Sequence, residues 1–324
     1  MLLGFDIGGT KCAVVLSKNY GNDHLDILDK RVMPTHRPVY EMIELLFSTA
    51  EELLLIHQSN VDQLQGIGIS CGGPLSSKRG LILSPPNLPG WDNIPIVEIC
   101  EKRFKKKTIL QNDANACAVA EWKFGAGKGL NDVIFLTFGT GMGSGIIING
   151  KLHSGVSDLA GEVGHLRLSD MGPVGFGKAG SFEGWCSGSG IAQLAQIMAR
   201  EKLQMGEKTL FCKSLNELTD ITAKSVADAA FSGDATAIEV YRRCANYLGK
   251  ALALLIDVLN PEMIIMGSIY ERAKTLIDPE MHEVLKKEAL QNSYADCRIV
   301  AAVLGENIGD MAALSLAYMS GEKK

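Results

Sequence analysis

Two glycine turns, each directly after a strand-like apolar run, constrain the fold of this chain more than any other feature. The first is DIGGTK (Asp6–Lys11) and the second is FGTGMGSG (Phe138–Gly145). Glycines let backbone N–H groups approach an anion closely, and Thr10 and Lys11 add side-chain donors. A single turn of this kind is compatible with a plain hairpin, whereas two turns from two halves of a chain could hold one phosphate tail from opposite sides.

The apolar patterns around these turns predict an α/β fold. LLGFDIGG, CAVVLSK and LDILDKRVM are typical of three strands in a meander, VYEMIELLFSTAEELLLIHQ has a helical period, and LQGIGIS returns to strand. In the second half, a glycine-broken strand pair precedes SFEGWCSGSGIAQLAQIMAR, which predicts one helix, and then ANYLGKALALLIDVLNPEMIIMGS predicts a helix and a strand. A length of 324 residues favours two domains. No flexible linker separates them, so the boundary is expected at a helix near residue 115.

Composition narrows the classes of function. The formal net charge is −5, without a basic stripe, which argues against a nucleic-acid partner. No apolar run reaches about 18 residues and no targeting segment is seen, so we expect a cytoplasmic protein without a membrane partner. The 8 cysteines occur singly and are expected to be reduced core thiols.

Several polar residues are candidates for chemistry. Asn112 and Asp113 stand between the strand-like KTIL and a helix, where Asp113 is either a helix cap or a base that accepts a hydroxyl proton during phosphoryl transfer. Glu162 and His165 lie between glycines in AGEVGH and could hydrogen-bond neighbouring hydroxyls of one ligand. Neither glycine turn has the spacing of a P-loop or of a dinucleotide-binding fingerprint.

Taken in order along nearly the whole chain, these motifs resemble the ROK family of repressors, open reading frames and kinases, within the actin-like sugar kinase superfamily. The resemblance rests on DIGGTK, GIGISCGGPL, SPPNLPGWDN, NDANACAVAEWKFGAG, FGTGMGSGIIINGKLHSG, AGEVGH, FEGWCSG and NPEMIIMG. It implies two actin-like, ribonuclease H-like domains with a ligand cleft between them. The expected domains are residues 1–115, completed by the C-terminal helix 310–324, and residues 116–309.

The resemblance also implies a set of site residues for ATP, Mg²⁺ and a hexose. Asp113 would be the general base, and Asp6 would lie near the magnesium, in contact through water. The sugar would be bound by Gly73, Asn87, Asn112, Glu162, His165 and Glu183. The nucleotide would be bound by Gly8, Gly9, Thr10, Lys11, Gly139, Thr140, Gly141, Gly143 and Gly267.

One stretch departs from the family pattern. Members usually carry three cysteines between the EVGH histidine and the next helix, and these bind a structural zinc together with that histidine. Here VGFGKAGSFE has Val174, Phe176 and Ser181 at those positions. Since His165 cannot bind structural zinc alone, we expect no zinc site. We expect Val174 and Phe176 to form a small buried plug instead.

The preferred function is a hexose kinase acting on the 6-hydroxyl of glucose or a close relative, with a kinase for N-acetylmannosamine or another hexose as the alternative. A sugar-responsive regulator is less favoured, because no DNA-reading segment precedes Asp6. An actin-like assembly protein would not need the polar set around Asp113. Family resemblance further implies a homodimer.

Overall fold

The computed structural model describes residues 1–21 and 24–322, which form two compact units. The first unit comprises Met1–Asn131, Gly145–Ala160 and Val303–Lys324, and the second comprises Asp132–Ser144 and Gly161–Ala302. The expected domains meet at residues 115 and 116, which differs from the bounds of these two compact units. The division into domains stays a prediction. Lys323 and Lys324, at the end of the expected C-terminal helix, lie outside the described residues.

The elements follow one another along the chain as alternating strands and helices. The strands are β1 (Leu2–Ile7), β2 (Lys11–Asn19), β3 (Leu25–Pro34), β4 (Gly66–Cys71), β5 (Leu75–Ser76), β6 (Leu81–Ile82), β7 (Thr108–Asn112), β8 (Val133–Leu136), β9 (Ser144–Ile148), β10 (Lys151–Leu152), β11 (Val174–Gly175), β12 (Lys178–Ala179), β13 (Met263–Met266) and β14 (Arg298–Ala301). The helices are α1 (Val39–Ile56), α2 (Ile96–Phe104), α3 (Asp113–Phe124), α4 (Phe182–Trp185), α5 (Gly188–Gln204), α6 (Ala223–Phe231), α7 (Ala235–Leu259), α8 (Ile269–Glu288), α9 (Gln291–Asp296) and α10 (Ile308–Gly321).

The first unit is built on a sheet with the strand order β3-β2-β1-β4-β7. The first three strands pair antiparallel, as the predicted meander requires, and β4 and β7 add parallel to β1. Phe5 of β1, Phe47 of α1 and Phe104 of α2 contact one another in the core on one face. Parallel pairing brings the carboxyl ends of β1, β4 and β7 to the same edge of the sheet.

On this sheet, α10 packs very close to the strands, because glycines face it. A Cβ atom on Gly68 would lie 2.0 Å from the carbonyl oxygen of Ala313, and one on Gly4 would lie 2.9 Å from the Cβ of Ala313. Leu314 and Ala317 of α10 are buried together with Leu2 and Val15. The glycines of LLGF and GIGIS therefore set the distance between helix and sheet.

The second unit contains the parallel strands β8, β13 and β14, with β13 in the middle. Its core is built mainly from α5, α6, α7 and α8 and includes the fully buried rings of Phe138, Phe182 and Tyr270. Helix α7 is 25 residues long and ends at Leu259; the C-cap residue Asn260 has a left-handed φ of 44°. The helix and strand predicted for ANYLGKALALLIDVLNPEMIIMGS are α7 and β13.

One predicted element is wrong in detail. The segment SFEGWCSGSGIAQLAQIMAR is two helices, α4 and α5, separated at Cys186 and Ser187. Ser187 is the N-cap of α5, and its hydroxyl accepts a hydrogen bond from Gly190 N–H. Serine favours caps because its side chain bonds a free N–H of the first helical turn.

Two global expectations concern membranes and thiols. Across residues 1–21 and 24–322, no helix combines the length and the apolar character that crossing a membrane demands. The cysteines are free, and all but the partly exposed Cys117 are buried. Burial raises the pKa of the Cys100 thiol to about 12, so this sulfur stays protonated at neutral pH.

Candidate active site

Several predicted site residues of the first unit meet where β1, β4 and β7 end. Asp6 is the second-to-last residue of β1 and lies opposite Ser70 of β4, and Cys71 at the end of β4 pairs with Asn112 at the end of β7. Gly73 follows β4, and a Cβ atom there would lie 3.4 Å from Nδ2 of Asn112. Parallel strand ends of this kind are the usual ligand-binding edge of α/β sheets.

The turn from Gly8 to Lys11 is closed by a hydrogen bond from Gly8 N–H to the carbonyl of Lys11, at 3.1 Å. Gly9 packs directly on Asn87, because a Cβ atom on Gly9 would lie 2.3 Å from the carbonyl oxygen of Asn87. Thr10 and Lys11 are exposed. The predicted nucleotide turn and the predicted sugar residue Asn87 are therefore neighbours.

Helix α3 is capped by Asn112 and not by Asp113. The Asn112 side chain accepts hydrogen bonds from Ala114 N–H and Asn115 N–H, while Asp113 occupies the first helical turn. Desolvation by the surrounding protein raises the pKa of Asp113, opposed by hydrogen bonds from Ala114 N–H and the Asn112 side chain. The cap alternative for Asp113 is thereby removed, and its carboxyl group keeps solvent access.

Asp6 is an electrostatically strained carboxyl group at this edge. Desolvation and the nearby charges of Asp113 and Asp310 raise the pKa of Asp6 to about 6, against the opposing charges of Lys30 and Lys11. Lys30 Nζ lies 2.7 Å from Oδ1 and 2.8 Å from Oδ2 of the buried Asp310. A cluster of carboxylates that repel one another favours a cation beside them.

Two carboxyl groups at this edge suit the magnesium ion that the family resemblance implies. Mg²⁺ is commonly held by one or two carboxylates, waters and substrate phosphates, which matches Asp6 and its neighbour Asp113. In the described part of the chain, no group of three or more His, Cys, Asp or Glu side chains is arranged to hold a metal by protein ligands alone. The contact of Asp6 with magnesium through water stays a prediction.

In the second unit, hydrogen bonds to Thr137 and Glu183 hold the turn after β8. Gly143 N–H donates to Oγ1 of Thr137 at 2.9 Å, and Met142 N–H donates to Oε2 of Glu183 at 3.0 Å. A Cβ atom on Gly141 would lie 2.8 Å from that same Oε2 atom. A side chain at position 141 would therefore displace the Glu183 carboxylate from its present position.

The start of α5 packs against the same turn. Gly188 N–H donates to the carbonyl of Gly139 at 2.8 Å, and the Ser189 hydroxyl donates to the carbonyl of Thr140 at 3.0 Å. These contacts explain why the predicted single helix is broken at Ser187, since the chain must turn there to reach Gly139 and Thr140.

The EVGH segment packs on the turn and on Glu183. Gly164 lies between them, because a Cβ atom there would lie 2.3 Å from the carbonyl oxygen of Met142 and 3.3 Å from Cβ of Glu183. His165 ends a 3₁₀ helix that begins at Val163, and the side chains of Glu162 and His165 are exposed. The three predicted sugar residues of this unit are therefore clustered.

Gly267 packs against the segment that follows β8 in the second unit. A Cβ atom on Gly267 would lie 2.7 Å from the carbonyl oxygen of Thr137, and Ile269 N–H donates to the carbonyl of Phe138 at 3.0 Å. Ile269 and Arg272 also line a cavity of about 390 Å³ whose other walls include Ala227 of α6. A cavity of this volume has the size of a small-ligand pocket.

The predicted hydrophobic plug is wrong. Val174 is 45% exposed and Phe176 is 75% exposed, so neither side chain is buried. They lie in a hairpin in which a two-residue turn connects β11 and β12. Phe176 lies in this turn, and its ring contacts the ring of His165, with centroids 5.3 Å apart. The hairpin is held through its backbone, because Gln193 bonds both the N–H and the carbonyl of Val174. Val174, Phe176 and Ser181 supply no zinc ligands.

The sequence reading missed Lys30 and Asp310. Their pairing beside Asp6 joins residues that are 280 positions apart, and neither lies in a recognisable motif. No local signal could have identified them, because the ion pair exists only once α10 is packed against the sheet that contains β3.

Comparison with known proteins identifies the family. The ROK family profile matches residues 2–319, and the chain belongs to the ROK family. A glucokinase of Streptomyces coelicolor is 31% identical over 321 residues, which cover 98% of this chain and 97% of the relative. An N-acetylmannosamine kinase of Escherichia coli is 32% identical over 266 residues, covering 82% and 81% of the two chains.

A solved structure supports the same conclusion. The ROK family glucokinase of Streptomyces griseus, determined with glucose and AMPPNP, has a TM-score of 0.73 and 29% identity, covering 98% of this chain and 99% of its own. The predicted fold class, α/β with actin-like architecture, is confirmed, as is the predicted enzyme class, a sugar kinase.

Proposed function

We propose that this chain is an ATP-dependent hexose kinase that phosphorylates the 6-hydroxyl of glucose or a closely related hexose. The observation that carries the proposal is the position of Asp113. Its carboxyl group lies in the first turn of α3, next to Asp6 at the ligand-binding edge. Because Asn112 caps the helix, Asp113 does not serve as the cap. Kinship with a glucokinase over nearly the whole chain supports the choice of a hexose.

In the proposed reaction, Asp113 accepts the proton of the sugar hydroxyl as the oxygen attacks the γ-phosphorus of ATP. The new O–P bond forms while the bond to ADP breaks, giving a hexose 6-phosphate and ADP. Asn87, Asn112, Gly73, Glu162, His165 and Glu183 would orient the sugar. The turns at Gly8–Lys11 and Gly139–Gly143, with Gly267, would bind the nucleotide.

Magnesium, when bound, neutralises charge on the phosphate oxygens. Asp6 would orient its water shell, and the Lys30–Asp310 pair would set the charge around Asp6. The homodimer and the lack of a nucleic-acid partner remain predictions from family resemblance and from charge.

The identity of the sugar is tested by measuring ATP consumption with glucose, mannose, fructose, allose, N-acetylglucosamine and N-acetylmannosamine. We expect the highest kcat/KM with glucose. A preference of tenfold or more for N-acetylmannosamine would replace glucose by the alternative that the Escherichia coli relative suggests. Turnover with none of these sugars would overturn the proposal.

A further inference from the structure

The side chain of Phe176 is unfavourable for the fold in two independent ways. Its φ is +42° and that of Gly177 is +75°, so both central residues of the hairpin turn have the positive values of a type I′ turn. This conformation disfavours a bulky residue and favours asparagine or glycine. In addition, 75% of the Phe176 surface is exposed to solvent.

Phe138 is a second phenylalanine with a positive φ, and burial compensates its backbone strain. Its φ is +34°, but its ring is fully buried in the core of the second unit. Burial of an aromatic ring offsets the backbone strain there. Phe176 lacks such burial, so packing does not explain why an aromatic residue occupies the turn.

The base of the hairpin is fixed, so the position of the Phe176 ring is defined. Gln193 of α5 bonds both backbone groups of Val174, at 3.0 and 2.8 Å. Gly175 packs on Glu183, since a Cβ atom on Gly175 would lie 2.7 Å from Cβ of Glu183. The hairpin is therefore held against one proposed sugar residue while its tip reaches another.

The hairpin contacts His165 through the side chains of Phe176 and Lys178. The Phe176 and His165 rings are inclined by 44° with centroids 5.3 Å apart, and Lys178 Nζ donates to the carbonyl of His165 at 2.8 Å. Over residues 1–21 and 24–322, no hydrogen bond to either imidazole nitrogen is found, and the Phe176 ring is an aromatic contact of the imidazole. Its nitrogens are thus available to a ligand.

We propose that Phe176 is a positioning residue that fixes the His165 imidazole for hydrogen bonding to the sugar, at the expense of a strained turn. The inference rests on the proposed function, in which His165 binds the sugar. It predicts that stability and sugar affinity respond to changes at position 176 in opposite directions, which a merely structural residue would not do.

The test replaces Phe176 by Asn, which creates the Asn-Gly sequence that type I′ turns prefer. We expect Phe176→Asn to raise the apo Tm by about 2–4 °C and to weaken direct sugar binding, measured calorimetrically without nucleotide, by about three- to tenfold. The KM for ATP should stay unchanged. Phe176→Tyr, which keeps a ring, should bind the sugar like the wild type, and the matched control Val174→Ala on the same hairpin should too.

A double-mutant cycle with His165→Ala assigns the effect to His165. In the His165→Ala background, Phe176→Asn should cause no further loss of sugar affinity. Additive losses, or a Phe176→Asn protein with unchanged sugar affinity, would overturn the inference while the wild type still binds hexose. A wild type that binds and phosphorylates no hexose would overturn the proposed function together with the inference.

Discussion

Asp113 and Asn112 have separate tasks, although they are adjacent. Because Asn112 caps α3, the charge of Asp113 is not needed to start the helix. A carboxyl group whose pKa is raised by its surroundings is better suited to accept a proton than one in bulk water.

We therefore expect Asp113→Asn to lower kcat by about 10²–10⁴-fold without lowering the Tm at neutral pH, because burial disfavours the charged carboxylate and the neutral amide removes that cost. The substitution is isosteric, and the cap at Asn112 is retained. Steady-state kinetics and a melting curve check both points. An Asp113→Asn protein that keeps a kcat within a few-fold of the wild type would contradict the assignment of the base.

Asp6 should reveal its environment through the pH dependence of stability. Its pKa is about 6 in the folded protein, above the ordinary value of 3.8, so folding favours the protonated form. With magnesium absent, Asp6 therefore lowers the free energy of unfolding as the pH rises from about 4 to 6, after which the loss is constant.

Asp6→Asn should remove this loss. We expect the variant to be more stable than the wild type by about 1–3 kcal/mol at pH 7, with the difference shrinking towards zero near pH 4. Urea unfolding in EDTA at several pH values measures the difference. A stability difference that does not change with pH would show that Asp6 is not strained in the folded protein.

At the scale of the elements, the packing of α10 depends on glycines in the strands that it faces. The close approach of this helix to the sheet places backbone atoms where side chains on β1 and β4 would be. A Cβ atom on Gly68 would lie 2.0 Å from the carbonyl of Ala313 and 2.5 Å from the nitrogen of Ala317. Backbone atoms cannot rotate away as a side chain can.

Gly68→Ala should therefore push α10 outward and destabilise the protein by about 1–3 kcal/mol or more. Gly72→Ala is the matched control, because nothing lies within 4 Å of a Cβ atom at Gly72 and its φ is ordinary. Denaturant unfolding compares the two variants. Equal stability of both would mean that the helix adjusts without cost.

At the scale of the whole molecule, the hairpin that carries Phe176 lies where the family resemblance implies a zinc site whose three cysteines this sequence lacks. Where relatives are expected to bind zinc, this protein relies on Gln193, Ser181 and backbone hydrogen bonds to hold the segment. The stability of this region should not depend on a metal.

We accordingly expect the purified protein to contain no stoichiometric zinc and to keep its Tm after exhaustive treatment with EDTA. Elemental analysis and melting curves before and after chelation provide the measurement. One zinc ion per chain, or a fall in the Tm that added zinc restores, would contradict the expectation and imply ligands other than those at 174, 176 and 181.

Much of the fold could be predicted because its signals are local. The meander of β1 to β3, the alternation of strands and helices and the two glycine turns follow from apolar periodicity and from residue types a few positions apart. The same motifs, taken in order, identified the family. The candidate residues around Asp113 were found in the same way, because they lie within those motifs.

Other features depended on contacts between distant parts of the chain. Lys30 and Asp310 meet only because β3 and α10 pack in the same unit, and the break before α5 exists because Gly188 must reach Gly139. The sequence of the hairpin gave residues of the right polarity for a buried plug, yet Phe176 is exposed beside His165. Local sequence specifies backbone preference and apolar character, whereas burial and ion pairing are decided by which surfaces the tertiary fold brings together.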